Sequence, residues 1–399
     1  MISYKQYLRD SAVPKEVLDV FLDPAKPSWA AFDPELGYVL GNSLQRNGVD
    51  GCATVSTSAR SGARTSHVYA GRPCRINTYG DSFTECHQVS DAETWQEYLA
   101  GQICQPVGNF GVGGYGVYQA YRRMVRTEQT HDGAECVLLY IAVDDHCRSV
   151  MRCRYPVIRL TWDHQGGMAF HNNFWANIEM DLESQRFFER DNPLSTPESL
   201  YKMADPDFMV EVLKDDLMVQ LYVANRVDPA SLDYSRLNAL AEVLGVSRID
   251  SKDAESLRTS AANLASAYGF AATKHTVELA RRFCGENDKT LMILLMCPKA
   301  IAQLLRGEPR YDQEIVDYLA DTGVRHFDMS AVHKEDYGNF NLSIEDYLKR
   351  YFIGHYGPAG NHFFAYSIKD KVIELLDPRP ITHRNDEHQP SDFEDYLPN

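Results

Sequence analysis

Apolar and polar positions change their period several times along the chain. From Arg75 to Tyr79 they alternate, with Ile76, Thr78 and Tyr79 favouring an extended backbone, and Gly80 ends the strand. Asp81-Ser82 and a polar turn follow, then the helical pattern AETWQEYLAGQI. PVGNFGVGGYG reads as a short strand running into a glycine-rich turn, and VYQAYRRMVRTEQ as a helix. The apolar run Val137 to Val143 inside ECVLLYIAVDDH is typical of a strand covered on both faces in a parallel sheet. After His146 this alternation stops, and 147–287 reads as mostly helical with acidic loops such as SLYKMADPDFM. Strands return at KTLMILLMCP and GVRHFDMSAV, and FIGHYGPAGNHFFAYSIKDKVIELL predicts a turn and then an amphipathic helix.

Strands alternating with helices at this spacing predict an α/β sandwich with ligands at the carboxyl ends of the strands. The expected organisation is a sheet core over 75–146 and 288–378, interrupted by a helical insertion over 147–287 that covers the site. Residues 379–399 form a polar, loosely packed tail. Before the core, 1–74 forms an irregular N-terminal extension, with one or two short helices broken by Pro14, Pro24 and Pro27. FDPELGYVL, Gly48 and SGAR then alternate turn residues with short extended pieces up to Pro73.

Composition narrows the function classes. At 399 residues the chain can bury a large core in one to three domains, and 44% apolar with 24% charged residues is ordinary for a globular protein. The net charge of −16 argues against nucleic acid or an anionic membrane as partner and leaves a small-molecule substrate open. The first twenty residues lack the apolar run of a secretory signal, and no window approaches the roughly 18 unbroken apolar residues of a membrane span. Nine scattered cysteines without a CxxC pair signal neither a zinc site nor a disulfide framework. The expectation is a soluble protein of the reducing cytoplasm, with its oligomeric state open.

Ser82 is the chemically suggestive residue. A serine at a strand-to-helix turn is presented at the carboxyl edge of a sheet, near the N–H groups that open the helix. Gly-Asp-Ser are also ordinary turn formers. NFGVGGYG can be a plain turn or a phosphate cradle, although its spacing does not fit the dinucleotide fingerprint. Asp144-Asp145-His146 could be half of a metal site, but neighbours on a strand point opposite ways. His171, Asn172, Asn173, Phe174 and Trp175 either line a pocket or pack the insertion.

Taken in order, GDSFT, NFGVGGYG, IAVDDH and GHYGPAGNHFFA resemble the four sequence blocks of the SGNH (GDSL-type) hydrolases, and FDPELGYVL followed by GAR looks like the leader of many bacterial members. The resemblance covers Phe32 to about His146 and Leu291 to Leu376, and leaves the insertion out. It implies a three-layer α/β/α, flavodoxin-like sheet. Ser82 matches the nucleophile, and its own N–H and that of Gly114 match the oxyanion donors. His355 matches the base, with His362 a second histidine of packing role.

Two positions depart from the family pattern. Asp144 replaces the asparagine whose amide donates to the oxyanion, so its carboxyl would assist only if protonated, and would otherwise bind a positively charged or hydroxyl-bearing part of a substrate. Phe352 and Ile353 stand where the triad acid is expected, leaving a backbone carbonyl, or Asp145, Asp336 or Asp346, to orient the histidine, or a Ser-His dyad without a third member. Asp81, Asp145 and His362 are secondary site residues. The implied function is hydrolysis of an ester or related acyl bond in a polar small molecule, without a cofactor. Acyl transfer or another non-hydrolytic reaction on the same site, or a degenerate binding domain, are the alternatives.

Overall fold

The computed structural model describes residues 1–26, 28–142, 144–380 and 383. Five parallel strands form its central sheet: β1 (Ile76–Tyr79), β2 (Val107–Asn109), β3 (Cys136–Ile141), β4 (Thr290–Leu295) and β5 (His326–Asp328). Their spatial order is β2-β1-β3-β4-β5, with β3 central. Its register places Ile76 and Thr290 on either side of Cys136.

Alternation of side chains divides the core between two faces of this sheet. Tyr79, Val137, Leu139, Ile141 and Ile293 join one hydrophobic cluster, while Ile76, Leu138, Tyr140, Met292 and Leu294 join the other. The helices that flank the sheet or stand at its carboxyl edge include α1 (Ser82–Glu85), α2 (Trp95–Ile103), α3 (Val117–Glu128), α4 (Asp145–Arg148), α5 (Ala254–Glu286) and α6 (Pro358–Leu375). Helices α3 and α5 contribute to the first cluster, α2 and α6 to the second. The architecture is therefore mixed α/β, with helices on both faces of a parallel sheet.

No strand of this sheet falls in 147–287, but the segment differs from a purely helical cover. It holds an antiparallel hairpin, Asn177–Asp181 with Arg186–Arg190. Its last element, the 33-residue α5, lies against α3 and β4 as part of a sandwich layer. Leu257, Ala261, Leu264, Ala265, Tyr268 and Ala272 recur at helical spacing and are all buried, which fixes that face inward. One continuous core joins it to the sheet.

The N-terminal extension is also more ordered than its turn-rich sequence predicts. Tyr4–Arg9 and Lys15–Leu22 are helices, and the Tyr4 and Tyr7 hydroxyls donate to the carbonyls of Leu213 and Pro156 (each 2.8 Å). Two hairpins follow, Ala30–Asp33 with Gly37–Leu40 and Ser43–Gln45 with Thr54–Ser56. Of the tail expected over 379–399, only Arg379, Pro380 and His383 are among the described residues, and Val143 also lies outside them. No described helix is long and apolar enough to cross a membrane.

Candidate active site

Strand β1 stops at Gly80, and the Asp81 carboxylate caps α1 by accepting from Phe83 N (2.9 Å). That cap sets Ser82 as the first helical residue, with an N–H that has no helical partner. Across the cleft, a turn stapled by Ile353 N donating to His355 O (2.8 Å) leads into α6, which Pro358 opens. The two turns bring Ser82 Oγ and His355 Nε2 to 2.8 Å.

Among the described residues, no carboxylate bonds the other ring nitrogen of His355. Gln88 Oε1 accepts from both His355 N (2.8 Å) and His355 Nδ1 (2.9 Å). A backbone N–H can only donate, so the amide oxygen is the atom that faces His355. Its own Nε2 agrees, donating to the carbonyls of Asn47 (2.9 Å) and Ile353 (3.3 Å). The proton therefore resides on His355 Nδ1, and Nε2 is left as acceptor for the Ser82 hydroxyl. Sequence reasoning expected Asp145, Asp336, Asp346 or a carbonyl here. Instead, Asp145 binds Arg148, Asp336 accepts from the Tyr347 and Tyr351 hydroxyls, and Asp346 binds Ser343 at a helix start.

The segment carrying Gln88 is held against its preference. Gln88 has φ +74°, a left-handed conformation costly for a residue with a Cβ. Buried Arg64 fixes this bend by donating to the carbonyls of Glu85 (2.6 Å), Cys86 (2.9 Å) and Val89, and it pairs with Asp91 (2.8 Å). Opposite, Gly354 (φ +120°) leaves room for the amide, since a Cβ there would fall 2.6 Å from Gln88 Oε1. Burial, together with His87 and Arg148, lowers the His355 pKa to about 3, against the pull of Glu85.

The glycine-rich turn after β2 is pinned on both sides of Gly113. Its N–H donates to buried Glu85 Oε2 (2.7 Å), and its carbonyl accepts from the Tyr38 hydroxyl (3.0 Å). Glu85 also accepts from Trp29 Nε1 (3.2 Å). Burial opposes its charge, but His87, Arg64 and Gly113 outweigh that and hold its pKa below the usual value. Gly114 follows at φ +85°, where a Cβ would meet the Tyr38 hydroxyl at 2.7 Å. Among the described residues, the N–H groups of Ser82 and Gly114 donate to no protein acceptor.

Asp144 does not act as a neutral donor. Its carboxylate pairs with Arg148, and Arg154 stands 3.8 Å away. Burial raises its pKa, yet the two guanidiniums prevail and keep it ionised. Arg148 also binds Asp145 (2.9 Å) and the Tyr115 carbonyl (3.2 Å). Burial and then the Asp81 charge push Asp145 well above the carboxylate range, and burial raises Asp81 to about 6. Neither Asp81 nor Asp145 lines the cleft. His146 is buried with its ring against Thr273 (2.8 Å).

Ser82, Gly114 and His355 share a cavity of about 450 Å³ with Arg148, Arg154 and Trp29. From the insertion, only His171 of the His171–Trp175 stretch lines it, while Asn172, Asn173, Phe174 and Trp175 are buried outside it. His362 is exposed on α6, its ring 5.3 Å from Tyr98, away from Ser82. Sequence reasoning missed Gln88, Arg148, Arg154 and Trp29. Only Arg148 carried a signal, lying one helical turn after Asp144. The chain matches no protein-family model, and no curated protein matches it.

Proposed function

We propose that the chain is a serine hydrolase of the SGNH (GDSL) type, cleaving an ester or related acyl bond of a polar small molecule. The carrying observation is the 2.8 Å contact between Ser82 Oγ and the unprotonated Nε2 of His355. Ser82 and Gly114, whose N–H groups donate to no protein acceptor among the described residues, line the same cavity. The strand order 2-1-3-4-5, which is that of flavodoxin-like sheets, supports the reading, as does the site's place at the carboxyl ends of the strands.

In this mechanism Ser82 attacks the carbonyl while His355 Nε2 accepts its proton. Gln88 keeps the imidazole in register and accepts the Nδ1–H bond as the ring becomes cationic. Ser82 N–H and Gly114 N–H donate to the oxyanion. Arg148, which pairs with Asp144 and lines the cavity, offsets that carboxylate at the position where the family has an amide donor. His355 returns the proton to the leaving group, and water then releases the acyl group by the same route. The nine free thiols fit a reducing cytoplasm.

Labelling with a fluorophosphonate tests this reading, because such probes need an activated serine and an oxyanion site. Adduct on Ser82 is expected, and its loss in Ser82→Ala and His355→Ala. Correctly folded protein that takes no label rejects a hydrolase in favour of a binding domain.

A further inference from the structure

Arg154 is the unexplained cation of the cavity. It precedes the short helix Tyr155–Ile158 and reaches the wall beside Gly114, where a Cβ would lie 3.4 Å from its Nη1. Its guanidinium carries five N–H donors. Among the described residues it makes no hydrogen bond, and its nearest acidic partner, Asp144, is 3.8 Å away and already bound by Arg148. The remaining neighbours cannot neutralise it. Burial, Arg154 and Arg148 keep His171 far below its usual pKa, so that ring is neutral, and Trp162 is aromatic. Asp163 is exposed at the rim, bound to Gln165 N (2.8 Å). Burial and the Arg148 charge both bear against the Arg154 cation. A half-buried guanidinium with open donors, facing a cavity and crowded by a second cation, is matched by a carboxylate, which it can grip in bidentate fashion.

We infer that Arg154 is the anchor for a carboxylate on the substrate, next to the scissile carbonyl held at Gly114. The inference rests on the hydrolase reading, and it names that site's substrate class: acyl esters bearing a carboxylate on the acyl or the alcohol side.

The test compares wild type with Arg154→Met, which keeps length without charge, and Arg154→Lys, which keeps charge without the fork. A pH-stat follows hydrolysis of two matched pairs, monomethyl succinate against methyl butanoate and O-acetyl-lactate against isopropyl acetate. Saturation-transfer NMR follows binding of succinate against succinamide. Wild type is expected to favour the anionic member of one pair by at least tenfold in kcat/KM and to bind succinate alone. Arg154→Met should lose both preferences, and Arg154→Lys should retain an intermediate one, which serves if the methionine variant does not fold. Equal kcat/KM within both pairs, or a preference unchanged in Arg154→Met, overturns the inference. If Ser82 takes the fluorophosphonate but no anionic preference exists, the hydrolase reading stands and the carboxylate anchor falls. If Ser82 takes no label while succinate binding still depends on Arg154, the anchor stands and the hydrolase reading falls.

Discussion

Replacing Gln88 tests whether an amide does the work usually assigned to an acid. Gln88→Ala removes the acceptor of both His355 N–H and Nδ1–H, at 2.8 and 2.9 Å. In the ground state the ring loses the contact that fixes its tautomer. On the proposed reading the ring is cationic during attack, so the lost Nδ1–H···O bond is charge-assisted and worth about 1.5–3 kcal/mol. At about 1.4 kcal/mol per tenfold, the rate of Ser82 acylation should fall about ten- to a hundredfold. This is smaller than the ~10⁴-fold loss seen when a triad aspartate becomes an asparagine that holds the wrong tautomer, because alanine imposes no wrong tautomer on His355.

Gln88→Glu sharpens the test. One carboxylate oxygen can replace Oε1, but the other must face the Asn47 and Ile353 carbonyls that now accept from Nε2. The variant should therefore be less stable, and its negative charge should raise the His355 pKa from about 3. The assay is the second-order rate of fluorophosphonate inactivation from pH 4 to 9, with thermal unfolding measured alongside. Wild type should react at a nearly constant rate down to about pH 4, since its base stays neutral, whereas an unperturbed histidine would lose half its activity near pH 6.5. Gln88→Glu should move the acid limb upward. A Gln88→Ala variant that reacts as fast as wild type, or a Gln88→Glu variant with an unmoved limb, would refute the reasoning.

The supports of Gln88 make further predictions. Gly354→Ala places a Cβ 2.6 Å from a rotatable amide oxygen, so the protein should fold, at a cost of about 1–3 kcal/mol from the positive φ. Its labelling rate should drop toward that of Gln88→Ala. Arg64→Ala removes the cation paired with buried Asp91, which keeps only its Thr57 donors, and a donor to three carbonyls, and should lower stability by about 3–5 kcal/mol in denaturant titrations. Gly114→Ala crowds the Tyr38 hydroxyl at 2.7 Å and, on the proposed reading, displaces one oxyanion donor, so inactivation should slow by about 10²–10³-fold while thermal unfolding changes much less.

Strand and helix periodicity made most of the core legible, because the central strands β3 and β4 carry the apolar runs that burial on both faces imposes. Ser82 was reached through local turn chemistry, and Gly114 and His355 only through the resemblance of their blocks to the SGNH pattern. Gln88 was out of reach, since its tie to His355 spans 267 positions and no periodicity records which side chain a strained bend will aim. Arg64 and Trp29 were hidden for the same reason, within an extension whose turn residues say little about what they pack against. Helix α5 was misplaced because a long amphipathic helix covers a sheet or a cleft with the same stripe.

On the proposed reading, the two departures from the family pattern belong together. Attack by Ser82 creates a negative oxyanion and a positive imidazolium. An aspartate and an asparagine would stabilise these with one charge and one dipole. Here the imidazolium faces a neutral amide, and the asparagine's place is held by an ionised Asp144 whose charge is covered by Arg148. The cavity is thereby more positive than the family arrangement by the charge of the missing acid. That shift disfavours the imidazolium, adding to the burial that chiefly depresses the His355 pKa against the pull of Glu85, and favours the oxyanion. It also suits a substrate that brings a negative charge of its own, so that binding supplies the field that the protein no longer builds in.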